Sequence, residues 1–197
     1  MALDTVLPYA HEVGFFLHQN RFRSACAHLG FGAEDPPAAL LSAVCLWAAC
    51  LSPSASPAEP LAHEPTLLAR ALHLAPGALS SGHRLQILHG IQTEVLLCAY
   101  FLHKGRLVEA QYHLSLAASH VVLGDLAGLR SARGARAQRA QIYQDPIEEG
   151  ELVSAFWTVL AMDKIWSSAL NFPSNFTSEG PPDVDTPWPL EMDAYEQ

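Results

Sequence analysis

The sequence predicts an all-α protein of about six or seven packed helices with an extended, proline-rich C-terminal tail. Three observations lead to this fold class. Apolar residues recur at steps of three and four along most of the chain, which is the spacing of an amphipathic helix. Runs of alternating β-branched residues, which would indicate strands, are absent or minor. Of the 197 residues, 50% are hydrophobic and 16% are charged, so a sizeable core can form.

The first quarter of the chain is predicted to hold two helices and a link between them. Helical spacing favours one helix over residues 3–18, and a connector or small helix over residues 20–32 that Phe22 and Phe31 would pin to the core. A capping acid and two prolines begin the next helix, over residues 35–51, because an early proline needs no N–H partner. This helix is apolar nearly all round and is therefore expected to be central and buried.

The middle of the chain is predicted to contain three more helices. A third helix begins at Glu64-Pro65 and ends at Pro76-Gly77. The fourth covers residues 84–104 and ends at Gly105, which suits a left-handed C-cap. The fifth begins almost at once and continues to about residue 121, so the fourth and fifth should be antiparallel neighbours. Residues 124–147 are irregular and polar.

The sixth helix begins near residues 146–149 and ends near Leu170. Its inward stripe follows steps of four, three, four, three and four, and its members are Leu152, Phe156, Val159, Asp163, Trp166 and Leu170. Asp163 is the polar exception. An unpaired buried charge costs about 3–5 kcal/mol, so we expect Asp163 to bond to a cation or a helix end, with Arg106 or His113 as candidates.

Five prolines after residue 170 predict an extended or loop-like tail. We therefore assign residues 1–170 to one helical domain and residues 171–197 to a tail of the same domain. Asp183 and Asp185 in this tail are interpreted as solvated or turn-forming groups, not as a catalytic carboxylate pair.

The charge balance argues against direct nucleic-acid binding. The formal net charge is -9, whereas a nucleic-acid-binding face must be basic to neutralise phosphates. Arginines recur every three residues at Arg130, Arg133, Arg136 and Arg139. They would suit an acidic partner or a DNA backbone, but a solvated face or a mobile loop is the commoner explanation.

No motif predicts an enzyme, a metal site or a cofactor. A Gly-x-Ser-x-Gly elbow, a glycine-rich phosphate loop and a His-Glu-x-x-His pair are all missing from the sequence. Two pairs of histidines are seven residues apart, at His11 and His18 and at His113 and His120. Zinc ligands are usually spaced more tightly, so we interpret these as surface or partly buried histidines.

The cysteine pattern and the apolar runs indicate a protein of a reducing compartment outside the membrane. The four cysteines are scattered and none belongs to a Cys-x-x-Cys pair, which suggests buried free thiols. The start of the sequence does not resemble a signal peptide. The most apolar run, about residues 38–51, is shorter than the ~20 residues that span a bilayer.

Several motifs, taken in order, resemble the middle homology region of fungal zinc-cluster (Zn2Cys6) transcription factors. The resemblance covers almost the whole chain. The strongest landmarks are Gly105-Arg106 with the helix after it, Phe156-Trp157 with the following Asp163-Lys164, and the closing stretch Pro181-Pro182-Asp183-Val184-Asp185-Thr186-Pro187-Trp188-Pro189. The resemblance implies an all-α regulatory domain, a nuclear location and control of transcription by RNA polymerase II.

One departure from the family concerns DNA binding. The family reads DNA through six cysteines that bind two zinc ions, and four scattered cysteines cannot form that cluster. We therefore expect no zinc and no direct DNA contact from this chain, which would be a fragment or a finger-less form. Its expected partners are proteins of the transcription machinery or other parts of a full-length factor.

A helical adaptor scaffold without a transcription role is the alternative. The predicted helix pair over residues 84–123 looks like one tetratricopeptide-type hairpin. Such hairpins normally occur in arrays of at least three units, and no second copy at a fixed period is evident. An enzyme is the third possibility, and no group of convergent polar residues in the sequence favours it.

Overall fold

The computed structural model describes residues 2–27, 36–52, 64–76, 84–129, 146–176 and 184–196. Regular structure within these ranges is entirely helical, so the all-α prediction is confirmed. The helices are α1 (Ala2–Val6), α2 (Ala10–Val13), α3 (Gln19–Ala27), α4 (Ala38–Leu51), α5 (Glu64–Leu74), α6 (Arg84–His103), α7 (Leu107–Leu123) and α8 (Pro146–Leu170). Short 3-10 helices cover Leu7–Tyr9, Leu126–Gly128 and Met192–Tyr195.

The N-terminal segment differs from the single helix predicted over residues 3–18. Pro8 lies in the 3-10 turn that separates α1 from α2, and proline cannot donate the N–H bond that a continuous helix needs. Gly14 then ends α2 in the left-handed conformation, with φ 73°. The Phe15 amide donates to the Ala10 carbonyl at 2.7 Å, which completes the C-cap. The small helix predicted after this segment is α3, and its Phe22 is buried as expected.

The core is organised around α6. Most of its side chains are buried, and it packs along α7 and against α4 and α8. By length and composition α6 is apolar enough to cross a membrane, but most of it is buried against the other helices, as in the core of a helical bundle. The prediction that α4 is central is only partly right, because Leu41, Cys45 and Cys50 lie on a half-buried side of α4.

The α6–α7 hairpin has the predicted form. Gly105 adopts φ 70°, and the Arg106 amide donates to the Phe101 carbonyl at 2.8 Å, so the turn is a left-handed C-cap. Ala110, Ala117 and Ala118 are buried on α7, where their small side chains permit close helix packing. The antiparallel neighbours predicted from the short link are therefore observed.

Some predicted features lie outside the described residues. They are Phe31, Asp35, Asp183 and the four arginines between residues 130 and 139. Within the described part of the tail, residues 184–191 form neither helix nor strand, and they lead into the 3-10 turn at Met192–Tyr195.

Candidate functional site

A cleft of about 1100 Å³ lies between the segment after α2, the outer side of α8 and the described part of the tail. The ends of α4 and α6 close its remaining side. Its lining combines apolar and aromatic side chains, among them Phe16, Trp47, Trp157, Met162 and Trp166, with polar ones such as Glu12, His103 and Glu191. Surfaces that combine aromatic side chains with a few polar groups are typical of binding clefts. This cleft is the candidate site.

Residues 14–18 form one wall of the cleft, and buried side chains from two helices fix their backbone. The Gln92 side chain on α6 accepts a hydrogen bond from the Phe16 amide at 2.8 Å and donates to the Gly14 carbonyl at 3.0 Å. The Glu151 carboxylate on α8 accepts from the His18 amide at 2.9 Å. Because these bonds satisfy backbone groups away from water, the wall has a defined conformation.

His18 connects this wall to the tail. Its Nδ1 accepts a hydrogen bond from the Arg21 amide at 3.1 Å, so Nδ1 carries no proton in this arrangement. The ring hydrogen therefore lies on Nε2, which donates to the Glu196 carboxylate at 2.6 Å. Beside this contact, a Cβ on Gly150 would lie 2.6 Å from the Tyr195 ring, so glycine is required for the tail to approach α8 this closely.

Trp157 holds the middle of the described tail. Its indole Nε1 donates to the Pro187 carbonyl at 2.6 Å. The Trp188 ring stacks on the Trp157 ring, with centroids 4.2 Å apart and planes 14° apart. Trp188 remains 74% exposed, so its other face is open to solvent. The contact therefore joins the outer side of α8 to an exposed aromatic surface.

The start of this segment is held by the 3-10 turn after α7. The Asp185 amide donates to the Ala127 carbonyl at 2.9 Å, and the Thr186 hydroxyl donates to the Leu126 carbonyl. Thr186 is buried despite its polar side chain. Asp185 itself forms no turn, and its amide instead joins the tail to the 3-10 turn after α7.

Asp163 is buried and fully hydrogen-bonded, but not to the predicted partners. Its Oδ1 accepts from the amide and the side chain of Asn175, both at 2.8 Å, and its Oδ2 accepts from the Ser174 hydroxyl at 2.5 Å. Burial acts to raise the pKa of Asp163, but these hydrogen bonds outweigh it and the pKa falls below its ordinary value. The carboxylate therefore anchors residues 174–176 onto α8.

The predicted partners of Asp163 are engaged elsewhere, so that part of the prediction is wrong. The Arg106 guanidinium donates to the Glu109 carboxylate at 2.8 and 3.0 Å and lies 4.6 Å from the Phe101 ring centre. The His113 Nδ1 is 2.6 Å from the Glu94 carboxylate, and both side chains are buried. Both groups stabilise the α6–α7 hairpin, whereas Asp163 takes its donors from the chain just after α8.

The five motif residues named in the sequence analysis lie in two separate parts of the structure. Phe156, Trp157 and Asp163 lie on α8, where Phe156 points into the core, Trp157 holds the tail and Asp163 anchors residues 174–176. Gly105 and Arg106 form the α6–α7 turn.

Sequence reasoning overlooked three buried polar side chains that fix the site and the hairpin, namely Gln92, Glu94 and Glu151. Their position inside apolar helices was a usable signal, because a polar residue on a buried stripe needs a specific partner. Asp163 on α8 carries the same signal.

Among the described residues, no three histidine, cysteine, aspartate or glutamate side chains are grouped so that they could hold a metal ion. All four cysteine thiols are free. Burial raises the pKa of Cys98 to about 12, and burial together with nearby Cys45 raises the pKa of Cys26 to about 11. These two thiols are therefore protonated at neutral pH and poorly nucleophilic.

Comparison of the chain with protein-family models, with curated proteins and with solved structures found no match. Function is therefore inferred from the residues, the sequence motifs and their geometry.

Proposed function

We propose that the chain is a regulatory and interaction domain of a fungal transcription factor that controls transcription by RNA polymerase II. It would act in the nucleus through protein partners of the transcription machinery or through other parts of a full-length factor. We assign it no catalytic activity, no cofactor and no direct contact with DNA or membrane.

One observation carries this proposal. Two of the motifs on which the resemblance rests, the Phe-Trp helix and the closing Pro-Trp-Pro stretch, are far apart in sequence but touch in the structure. The Trp157 Nε1–Pro187 carbonyl bond at 2.6 Å and the Trp157–Trp188 stack join them. Motifs that occur together in a family are expected to have a shared structural reason, and this contact supplies one.

The surface around the contact supports a role in binding proteins. In the described part of the tail, Trp188, Leu190 and Val184 are 74%, 58% and 50% exposed, and Leu190 lines the cleft. Exposed apolar patches mark interaction sites. None of the described residues that line the cleft is Lys or Arg, which does not suit the phosphates of a nucleic acid.

A reporter experiment tests the proposal. The whole chain is fused to a heterologous DNA-binding domain in a fungal strain that carries a matching reporter gene. We expect reporter output to change several-fold relative to the DNA-binding domain alone, and we expect a fluorescently tagged chain to accumulate in the nucleus. A fusion whose output equals that of the DNA-binding domain alone would overturn the proposal.

A matched pair of variants locates the effect. Trp157→Phe keeps an aromatic ring but removes the donor to the Pro187 carbonyl, so it should alter the reporter response. Tyr9→Phe is the control, because it removes a donor from an aromatic residue that is 44% exposed and does not line the cleft, and it should leave the response close to that of the parent chain. Immunoblots of both fusions control for protein level.

A helical adaptor scaffold is the second candidate function, and the α6–α7 hairpin favours it. The two helices are antiparallel, joined by a tight glycine turn and packed through alanines, as in a tetratricopeptide-type unit. This function predicts a fusion that is silent in the reporter strain and a tagged chain without nuclear enrichment.

A further inference from the structure

The described tail lies on α8 in the form of an extended peptide. Residues 184–190, here called the tail segment, contain neither helix nor strand, and Pro187 and Pro189 favour the polyproline II conformation. Glu191, directly after them, has φ -60° and ψ 141°, which are close to the values of that conformation. Because a polyproline II chain has no internal hydrogen bonds, its backbone carbonyls are free to bind other groups.

Trp157 makes the two kinds of contact that suit a proline-rich peptide. Its indole N–H donates to the Pro187 carbonyl at 2.6 Å, and its ring stacks on Trp188 with centroids 4.2 Å apart. Aromatic surfaces bind proline-rich segments well because the extended chain is preformed and loses little entropy. Neither contact depends on the covalent connection between the tail segment and α8.

The 3-10 turn after α7 supplies the remaining contacts. Its Leu126 carbonyl accepts from the Thr186 hydroxyl, and its Ala127 carbonyl accepts from the Asp185 amide at 2.9 Å. These two carbonyls and the Trp157 ring are here called the Trp157 surface. It offers two acceptors, one donor and one aromatic face, in that order, to four consecutive residues of an extended chain.

The tail segment is only lightly buried. Thr186 is the one buried residue within it, whereas Val184, Trp188 and Leu190 are at least half exposed. Since apolar burial is the main stabilising term in most contacts, a segment with so little of it can leave its surface by local opening while the helices stay folded. The tail segment is therefore an exchangeable occupant of the Trp157 surface.

We propose that the Trp157 surface binds a proline-flanked tryptophan segment of another protein, and that the tail segment occupies the surface in its absence. The tail segment, seated there with its carbonyl and ring both bound, is the template for that partner. The inference rests on the proposed function, because Trp157 lines the candidate cleft and the partner named is a partner of that site. Binding of the partner requires displacement of the tail segment, which thus acts as an internal competitor.

A labelled peptide tests the proposal. The probe is a fluorescein-labelled peptide with the sequence of residues 184–190, titrated with the full chain and followed by fluorescence anisotropy. A full-chain variant that combines Thr186→Ala with Trp188→Ala, here called the tail variant, weakens the internal competitor. We expect saturable binding to the tail variant. Binding to the parent chain should be about ten-fold weaker, because a tethered competitor has an effective concentration of about 1 mM.

Substitutions on both sides of the contact locate it. In the tail variant, Trp157→Phe removes the indole donor and should raise the Kd about five-fold, which is the effect of one hydrogen bond. Tyr9→Phe in the same background is the control and should leave the Kd unchanged. A peptide with Trp188→Ala should also bind about five-fold more weakly, because the ring stack is lost. The peptide comparison needs no change in the chain, and circular dichroism confirms that each chain variant is folded.

Three results would overturn the proposal. They are no saturable binding to the tail variant up to about 1 mM, equal affinity for the peptides with and without Trp188, and a parent chain that dimerises by exchange of tails between two copies. The last is detected by sedimentation equilibrium as a dimer that the tail variant does not form. The reporter result is separate: a silent fusion with intact peptide binding overturns the proposed function, whereas an active fusion without peptide binding overturns this inference alone.

Discussion

Asp163, Gln92 and Glu151 show how single buried polar groups shape this protein. Each lies on a helix among apolar neighbours and satisfies donors or acceptors of a segment that is not helical. Asp163 holds residues 174–176, whereas Gln92 and Glu151 hold residues 14–18. Because an unsatisfied buried group is costly, each of these side chains permits only one arrangement of its segment.

Asp163→Ala is expected to lower the free energy of unfolding by about 3 kcal/mol, because hydrogen bonds to a charged group are lost and their donors are left without an acceptor. Asp163→Asn keeps one acceptor oxygen, so its free energy of unfolding should lie between those of the parent chain and Asp163→Ala. Urea unfolding followed by circular dichroism measures the change. Asp193→Ala removes an exposed carboxylate as the control and should change stability by less than about 0.5 kcal/mol. Equal effects at residues 163 and 193 would contradict the anchoring role.

Helices α2 and α6 both end in a left-handed glycine C-cap, but the two glycines have different surroundings. Gly14 and Gly105 have φ 73° and 70°, and each is followed by a backbone bond that closes the C-cap. A Cβ on Gly105 would meet no atom within 4 Å. A Cβ on Gly14 would lie 2.9 Å from the Val95 side chain, which is fully buried on α6. The backbone requirement is shared, but only Gly14 is also required for packing.

Alanine substitutions separate these two requirements. Gly105→Ala should cost about 1 kcal/mol, which is the penalty for a left-handed residue with a side chain. Gly14→Ala should cost about 3 kcal/mol, because overpacking against Val95 adds to that penalty. The difference between the two midpoints of urea unfolding is the readout. If the two variants are equally stable, the approach of α2 to α6 is looser than the structure indicates.

At the scale of the whole molecule, burial in the helical core lowers the pKa of two histidines, His89 on α6 and His120 on α7. Burial, assisted by the positive charge of Arg21, lowers the pKa of His89 to about 4. Burial also lowers the pKa of His120, whose Nδ1 has no hydrogen-bond partner among the described residues. The unfolded chain, with histidine pKa values near 6.5, binds protons in the acid range that the folded chain does not.

Folding stability should therefore be fully present above about pH 6.5 and fall as the pH drops towards about 4. The His89 contribution to this loss is about 3 kcal/mol at most, from a pKa difference of some two and a half units. Urea unfolding at several pH values between 7 and 4 measures it. His89→Gln removes the titrating group and should flatten the curve in this window. An unchanged slope in that variant would show that His89 is not the source.

Prediction from sequence succeeded where the cause is local. The bounds of α8 and the buried part of its stripe, from Leu152 to Asp163, follow from apolar spacing, whereas Trp166 and Leu170 are only half-buried. The end of α6 follows from a glycine that accepts a positive φ. The break in the first predicted helix was also a local signal, since Pro8 and Gly14 stand in the sequence, but the apolar spacing around them concealed it. The partners of Asp163 could not be predicted, because they depend on how residues 174–176 fold back on α8.

The sequence by itself determined the helical class, the main helices from α4 to α8 and the need for a partner at Asp163. These depend on hydrogen bonds and apolar spacing within a few turns of chain. Only the tertiary structure decided that α6 is the central helix, that the tail lies on Trp157 and that residues 14–18 are held by Gln92 and Glu151. Those outcomes depend on which distant groups satisfy one another once water is excluded, and no local pattern encodes that choice.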